Sequence, residues 1–248
     1  DAFTGIFLSS DGGKSWVASN NGMEIAPGAG TPIFCATINP HDPNIVWVGT
    51  QLTGHLYLSV DGGKTWQERD TGILRGGPDM RSFRGITIDP NDPNVVYSAL
   101  ELTLLLESTE RQAGWKGGTA GEVYKSTDGG LNWKRIWFGP SLARYIWVDP
   151  RNSNRLYVST GIFDRDAANM DVEKNFIGGV GILRSDDGGQ SWTVLNEQNG
   201  LGGLFVPSLF MHPENPDILL AAVTVTRHFG LDASIPLGDP GVYVTYDG

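Results

Sequence analysis

The sequence predicts an all-β fold built from a repeated sheet of four antiparallel strands, and three observations carry that prediction. An eight-residue phrase, Ser-x-Asp-x-Gly-x-(Ser/Thr/Asn)-Trp, recurs at Ser9–Trp16, Ser59–Trp66, Ser126–Trp133 and Ser185–Trp192, and Thr245–Gly248 begins a fifth copy. Its aspartates stand at 11, 61, 128, 187 and 247, so the copies are 50, 67, 59 and 60 residues apart, a period that marks a repeat architecture. A second phrase, a short apolar run ending in Pro and a polar turn, precedes three of the boxes and the truncated fifth.

Each element of the unit has a physical reason. In Ile38-Asn39-Pro40, Ile88-Asp89-Pro90, Val148-Asp149-Pro150 and Met211-His212-Pro213, Pro fixes φ, and the Asn and Asp residues that follow tolerate tight turns, so each reads as a hairpin connection. Apolar runs flank these turns, a third strand leads into each box, as in His55–Ser59, and a fourth leaves through its Trp, as in Trp66–Arg69. Within the box the Asp carboxylate accepts backbone N–H groups, the Gly pair supplies backbone angles closed to other residues, and the Trp buries aromatic surface between neighbouring sheets. Four antiparallel strands per repeat is the make-up of a β-propeller blade. The spacing sets whole blades at 32–70, 82–138 and 144–196, with partial blades at 3–19 and 205–248. Four blades is the lower limit for closing a ring, so the stretch is expected to form roughly four blades of a larger propeller of seven or more, continued in a longer chain or a partner chain.

Composition narrows the function classes. Net charge is −10, which disfavours nucleic-acid partners because a basic footprint is missing. No apolar run reaches the ~18 residues of a membrane helix. Cys35, the single cysteine, lies in an apolar run and reads as a buried thiol. The boxes lack the Asp-rich loop and terminal Glu of a calcium hand, and the four histidines show no ligand spacing, so neither metal nor cofactor is expected.

The box resembles the Asp-box repeat, also called the bacterial neuraminidase repeat, of sialidases, family-74 glycoside hydrolases (xyloglucanases) and sortilin-like receptors. The resemblance runs over essentially the whole chain. It implies a secreted protein, extracellular or periplasmic, with an active or binding face opposite the boxes. The long connections at 101–121, 162–181 and 227–241 fall on that opposite face, and connections of this length tend to carry function.

Glycoside hydrolysis needs two carboxyl groups roughly 5–10 Å apart. Glu101 and Asp164, read as lying just past second strands of adjacent blades, and Asp166 are the catalytic candidates; an ion-paired surface loop explains the same carboxylates. Trp115, flanked by glycines in a polar loop, is a candidate platform for a sugar or a protein, and Arg81, Arg84, Arg165, Arg227 and His228 complete the candidate binding set. Arg81 and Arg84 read as part of a link between blades. Family patterns weigh against catalysis: no Arg-Ile-Pro segment of a sialidase occurs, and no xyloglucanase catalytic aspartate maps onto a position here. The expected function is recognition of a polysaccharide or protein ligand through the long-loop face. The alternatives are a glycoside hydrolase, xyloglucanase-like or sialidase-like, and a structural subunit of a cell-surface assembly.

Overall fold

The computed structural model describes residues 5–24, 32–73, 80–104, 118–162, 166, 169, 178–224 and 238–248. They form five antiparallel sheets in sequence order. The first pairs β1 (Phe7–Leu8) with β2 (Val17–Ala18). The second joins β3 (Ile33–Ile38), β4 (Val46–Thr50), β5 (Leu56–Ser59) and β6 (Gln67–Glu68). The third joins β7 (Met80–Ile88), β8 (Val96–Thr103), β9 (Thr119–Ser126) and β10 (Lys134–Gly139). The fourth joins β11 (Ala143–Asp149), β12 (Asn152–Thr160), β13 (Ile182–Ser185) and β14 (Thr193–Leu195). The last joins β15 (Phe205–Met211), β16 (Leu219–Thr224) and β17 (Gly241–Thr245). In each four-stranded sheet every strand pairs with its sequence neighbour, the up-and-down order of a propeller blade.

The core lies between the sheets. Leu56, Trp47, Phe83, Ile86, Leu100 and Trp133 fill the seam between the second and third sheets. Ala99, Val123, Ile146, Leu156 and Leu183 fill the next, and Tyr157, Ile182, Leu209, Met211 and Leu219 the one after. A smaller cluster of Met23, Val48, Tyr57 and Trp66 closes the first sheet onto the second. A sheet alternates its side chains between two faces, so each blade has an apolar face on either side and only a neighbouring blade can cover it.

The recurring corners do two jobs. In each complete box the Ser hydroxyl donates to the Asp and accepts the N–H of the second Gly, as Ser59 does with Asp61 (2.7 Å) and Gly63 (2.8 Å). Asp61 Oδ1 then accepts the N–H groups of Lys64 and Thr65, and the Thr65 hydroxyl donates to Oδ2 at 2.6 Å. Both glycines take positive φ, 75° and 84°, which a Cβ would strain. The corner is also tied to the Pro turn of its own blade. Gly62, Gly129, Gly188 and Gly248 each donate a backbone N–H to the carbonyl of Asn44, Asn94, Asn154 and Asp217.

The Trp reaches out of its blade. The indole N–H groups of Trp66, Trp133 and Trp192 donate to the carbonyls of Ser19, Arg69 and Ile136, each at or just past the outermost strand of the preceding sheet. Trp66 and Trp133 are buried and Trp192 is half-buried. Trp16 departs from the expected burial: it is 62% exposed and its indole turns back to Gly13 of its own corner, because no described sheet packs on its outer side. Trp133→Ala is therefore expected to cost about 3–5 kcal/mol through the cavity left in the seam. Trp16→Ala should stay within about 1 kcal/mol. Urea midpoints of the two variants check the contrast, and equal losses would mean that the seam contact does not matter.

Candidate functional site

The inner strands β3, β7, β11 and β15 stand side by side, and each carries an irregularity in its pairing with the second strand of its blade. The register shifts between Ile33 and Cys35, between Phe83 and Gly85, between Ala143 and Ile146, and between Phe205 and Ser208. An extra residue in one strand of a pair kinks the backbone and re-aims a side chain. The residues released in the first three strands are Phe34, Arg84, and Arg144 with Tyr145, and all four line one groove of about 500 Å³ with Ala36, Ile88 and Trp147. The Arg84 guanidinium lies 4.1 Å from the Phe34 ring centre, and Arg144 lies 5.2 Å from that of Tyr145. Phe34 and Tyr145 are both more than a third exposed. Aromatic faces beside cations in a concave inner wall are a binding surface of mixed apolar and polar character.

Buried ion pairs hold this wall. Arg84 donates to Glu101 through both Nε (2.7 Å) and its terminal nitrogen, and both side chains are buried. Glu122, fully buried in β9, accepts Arg81 Nε at 3.0 Å and Arg135 Nη1 at 2.8 Å. Two sequence readings are corrected here. β8 runs on to Thr103, so Glu101 lies inside a strand and not in the loop beyond it. β7 begins at Met80, so Arg81 and Arg84 belong to the inner strand and not to a link between blades.

Asp166 is buried in the connection after β12 and is met by five donors. Thr119 Oγ1 (2.7 Å), Leu142 N (3.4 Å) and Asn169 Nδ2 (3.3 Å) reach Oδ1, while Ser141 Oγ and Ile162 N, both at 3.1 Å, reach Oδ2. Asn169 also donates to the carbonyls of Thr119 and Pro140, so the pair pins this loop to the edges of two blades. None of these partners carries a positive charge. Burial therefore wins, and it pushes the carboxyl up to about 7 despite the hydrogen bonds. Asp164, Trp115, Arg165, Arg227 and His228 lie outside the described residues.

The box aspartates do the opposite. Asp11 is held down at about 2, first by the Ser15 hydroxyl and then by backbone N–H groups, and Asp61, Asp128 and Asp187 are lowered in the same way. Their oxygens are committed to the corner. Burial pushes the Cys35 thiol up to about 12, which disfavours the thiolate that a nucleophile needs.

Sequence reasoning missed Phe34, Arg144, Tyr145 and Trp147, because a bulge is set by how two strands pair. It also missed Leu52, 45% exposed and held at φ 64° at the far end of β4 from the Pro turn. Its N–H donates to the Ser82 hydroxyl, and Thr53 bridges Arg81, so the strained turn leans on the neighbouring blade.

Corners, blades and seams together define an Asp-box β-propeller. The family model described as BNR/Asp-box repeat matches residues 57–68. No curated protein matches the chain. Among solved structures the chain is similar to an ancestral GH74 enzyme, at 18% identity and a TM-score of 0.58, over 90% of this chain and 25% of that one. It is also similar to YCF48 bound to D1 peptide, at 18% identity and a TM-score of 0.49, over 84% and 53% of the two chains. The GH93 α-L-arabinofuranosidase of Fusarium graminearum follows at 13% identity and 0.48, over 87% and 63%. The chain thus spans a quarter of the first of these proteins and about half to two thirds of the others. No described helix is long and apolar enough to cross a membrane.

The raised carboxyl of Asp166 has a signed consequence. A group whose folded pKa lies above its unfolded value of 3.8 favours the folded state only while protonated, so its contribution falls as pH rises from about 4 to about 7. The unfolding free energy of the wild type minus that of Asp166→Asn is expected to decline over this range, on the order of a few kcal/mol, and to level off above pH 8. Urea unfolding of both proteins across that pH series measures it. A constant difference would show that the carboxyl has the same pKa in the folded and unfolded states.

Proposed function

We propose that this propeller recognises a carbohydrate, without cleaving it, through the inner groove and the long-loop face at its mouth. The carrying observation is the alignment of three strand bulges, which turns Phe34, Arg84 and Arg144–Tyr145 toward one concave wall. An aromatic ring supplies a flat apolar platform for the C–H face of a sugar, and a guanidinium supplies fixed donors for its hydroxyls. Glu101 is an unsuitable acid or nucleophile, since Arg84 takes up its carboxylate and β-strands bury it. Asp166 is equally committed to its loop. Trp115, Arg165, Arg227 and His228 are proposed to extend the groove at the loop face. Secretion to the cell exterior or the periplasm accompanies this reading, since extracellular polysaccharide is where such a binder meets its ligand.

Titration calorimetry with xyloglucan oligosaccharides and a panel of other plant and bacterial glycans tests the proposal. Binding is expected, with at least a tenfold loss (about 1.4 kcal/mol) in Tyr145→Ala and in Trp115→Ala, and with no release of reducing ends. Release of reducing ends that stops on Asp164→Asn would replace this reading with a glycoside hydrolase. Capture of a folded protein with no glycan affinity would replace it with a protein-recognition or architectural role.

A further inference from the structure

Away from the groove, three side chains meet at the outer rim of the second blade on the end opposite its box. β5 and β6 pair Tyr57 with Glu68, and Arg69 donates its N–H to the carbonyl of Leu56. Continuing this register sets His55 opposite Asp70. Alternation along each strand then puts His55, Tyr57, Glu68 and Asp70 on one face of the sheet. This is the face that covers the first sheet, where Tyr57 packs with Met23 and Trp66. His55 is itself the histidine that sequence order hid: its neighbours in space are 13 and 15 residues away in the chain.

The distances in this cluster are informative. His55 Nδ1 stands 3.6 Å from Glu68 Oε2 and 3.7 Å from Asp70 Oδ2, and one donor atom from each residue lies within 4.8 Å of the other two. Both separations are longer than an N–H···O hydrogen bond of about 2.7–3.2 Å. They are close to the edge of a coordination tetrahedron: ligands about 2.0–2.2 Å from a central ion stand roughly 3.3–3.6 Å apart. The His55 ring is held by stacking on Tyr57, with centroids 5.9 Å apart and planes at 27°. Asp70 is only 3% exposed, so its carboxylate is placed by the fold and not by solvent.

We propose that His55, Glu68 and Asp70 bind a divalent cation of the zinc class, with water in the fourth position. One imidazole nitrogen and two carboxylate oxygens suit Zn²⁺. They suit Ca²⁺ poorly, since it takes six to eight oxygens. The site also has a structural consequence. Asp70 lies between the two residues, Arg69 and Thr71, whose carbonyls hold the indole and backbone N–H groups of Trp133. A cation gripping Asp70 therefore stiffens the strap on which the next blade is hung.

The test is calorimetric titration of chelator-treated protein with ZnCl₂, with CaCl₂ in parallel. Zinc should bind at one site per chain and raise Tm by about 5 °C at a hundredfold excess over Kd. His55→Ala should abolish the binding, and Glu68→Gln, at a half-exposed position that leaves the fold intact, should weaken it at least tenfold. His212→Ala, on a Pro turn at the other end of a different blade, should leave it unchanged. Absence of zinc binding, binding that survives Glu68→Gln, or calcium binding equal to that of zinc would each overturn the site. These outcomes are independent of the groove, since none of the three residues lines it.

Discussion

An indole N–H bonded to a carbonyl of the preceding sheet is the contact on which this fold depends. A four-stranded sheet leaves two apolar faces to cover, and no blade here can cover its own. Trp66, Trp133 and Trp192 carry the necessary area across the seam, and the single hydrogen bond of each fixes where that area lands. The Asp-box is the bracket that aims the indole. Its carboxylate accepts N–H groups at the tight turn three and four residues on, so the chain leaves the corner in one direction only, and the Trp follows directly. The corner's second anchor, the carbonyl of its own Pro turn, fixes that direction relative to the rest of the blade.

This arrangement assigns the two ends of the barrel of blades different tasks. At the box end both connections of a blade are bonded to each other, which leaves little freedom for sequence or length to vary. At the other end the connections differ in length from blade to blade. Two buried ion-pair clusters are found toward that end as well. Glu101 with Arg84, and Glu122 with Arg81 and Arg135, sit in one blade, and such pairs add little net stability because desolvation offsets their attraction. What they supply is position. A guanidinium gripped by a buried carboxylate cannot swing away from the Phe34 ring.

The parts of the fold that were legible in the sequence are those whose cause is local. Asp61, its glycines and Thr65 interact within five residues, and Pro40 and Asn44 make their turn within a similar span, so composition and spacing expose them. The site is less legible because its causes are not local. A bulge at Arg84 reflects how β7 pairs with β8. Glu101 and Arg84 are 17 residues apart, and Glu122 and Arg81 are 41 apart, so Glu101 reads as a loop carboxylate when it is one half of a buried ion pair. The same reason hid His55, whose partners lie on the next strand.

Two kinds of buried carboxylate in this molecule separate structural from chemical capacity. Glu101 and Glu122 accept hydrogen bonds from guanidinium groups, so their oxygens are taken up in holding Arg84, Arg81 and Arg135 in place. The described donors to Asp166 are all neutral, and its burial favours the protonated form. A general acid of a glycosidase needs the second kind of environment together with access to the substrate oxygen. Asp166 has the environment without the access, for both its oxygens are taken up by donors on β9, on the link before β11 and at Ile162. The described inner wall therefore has the means to hold a ligand, in its rings and fixed cations, and lacks a carboxylic acid presented to one.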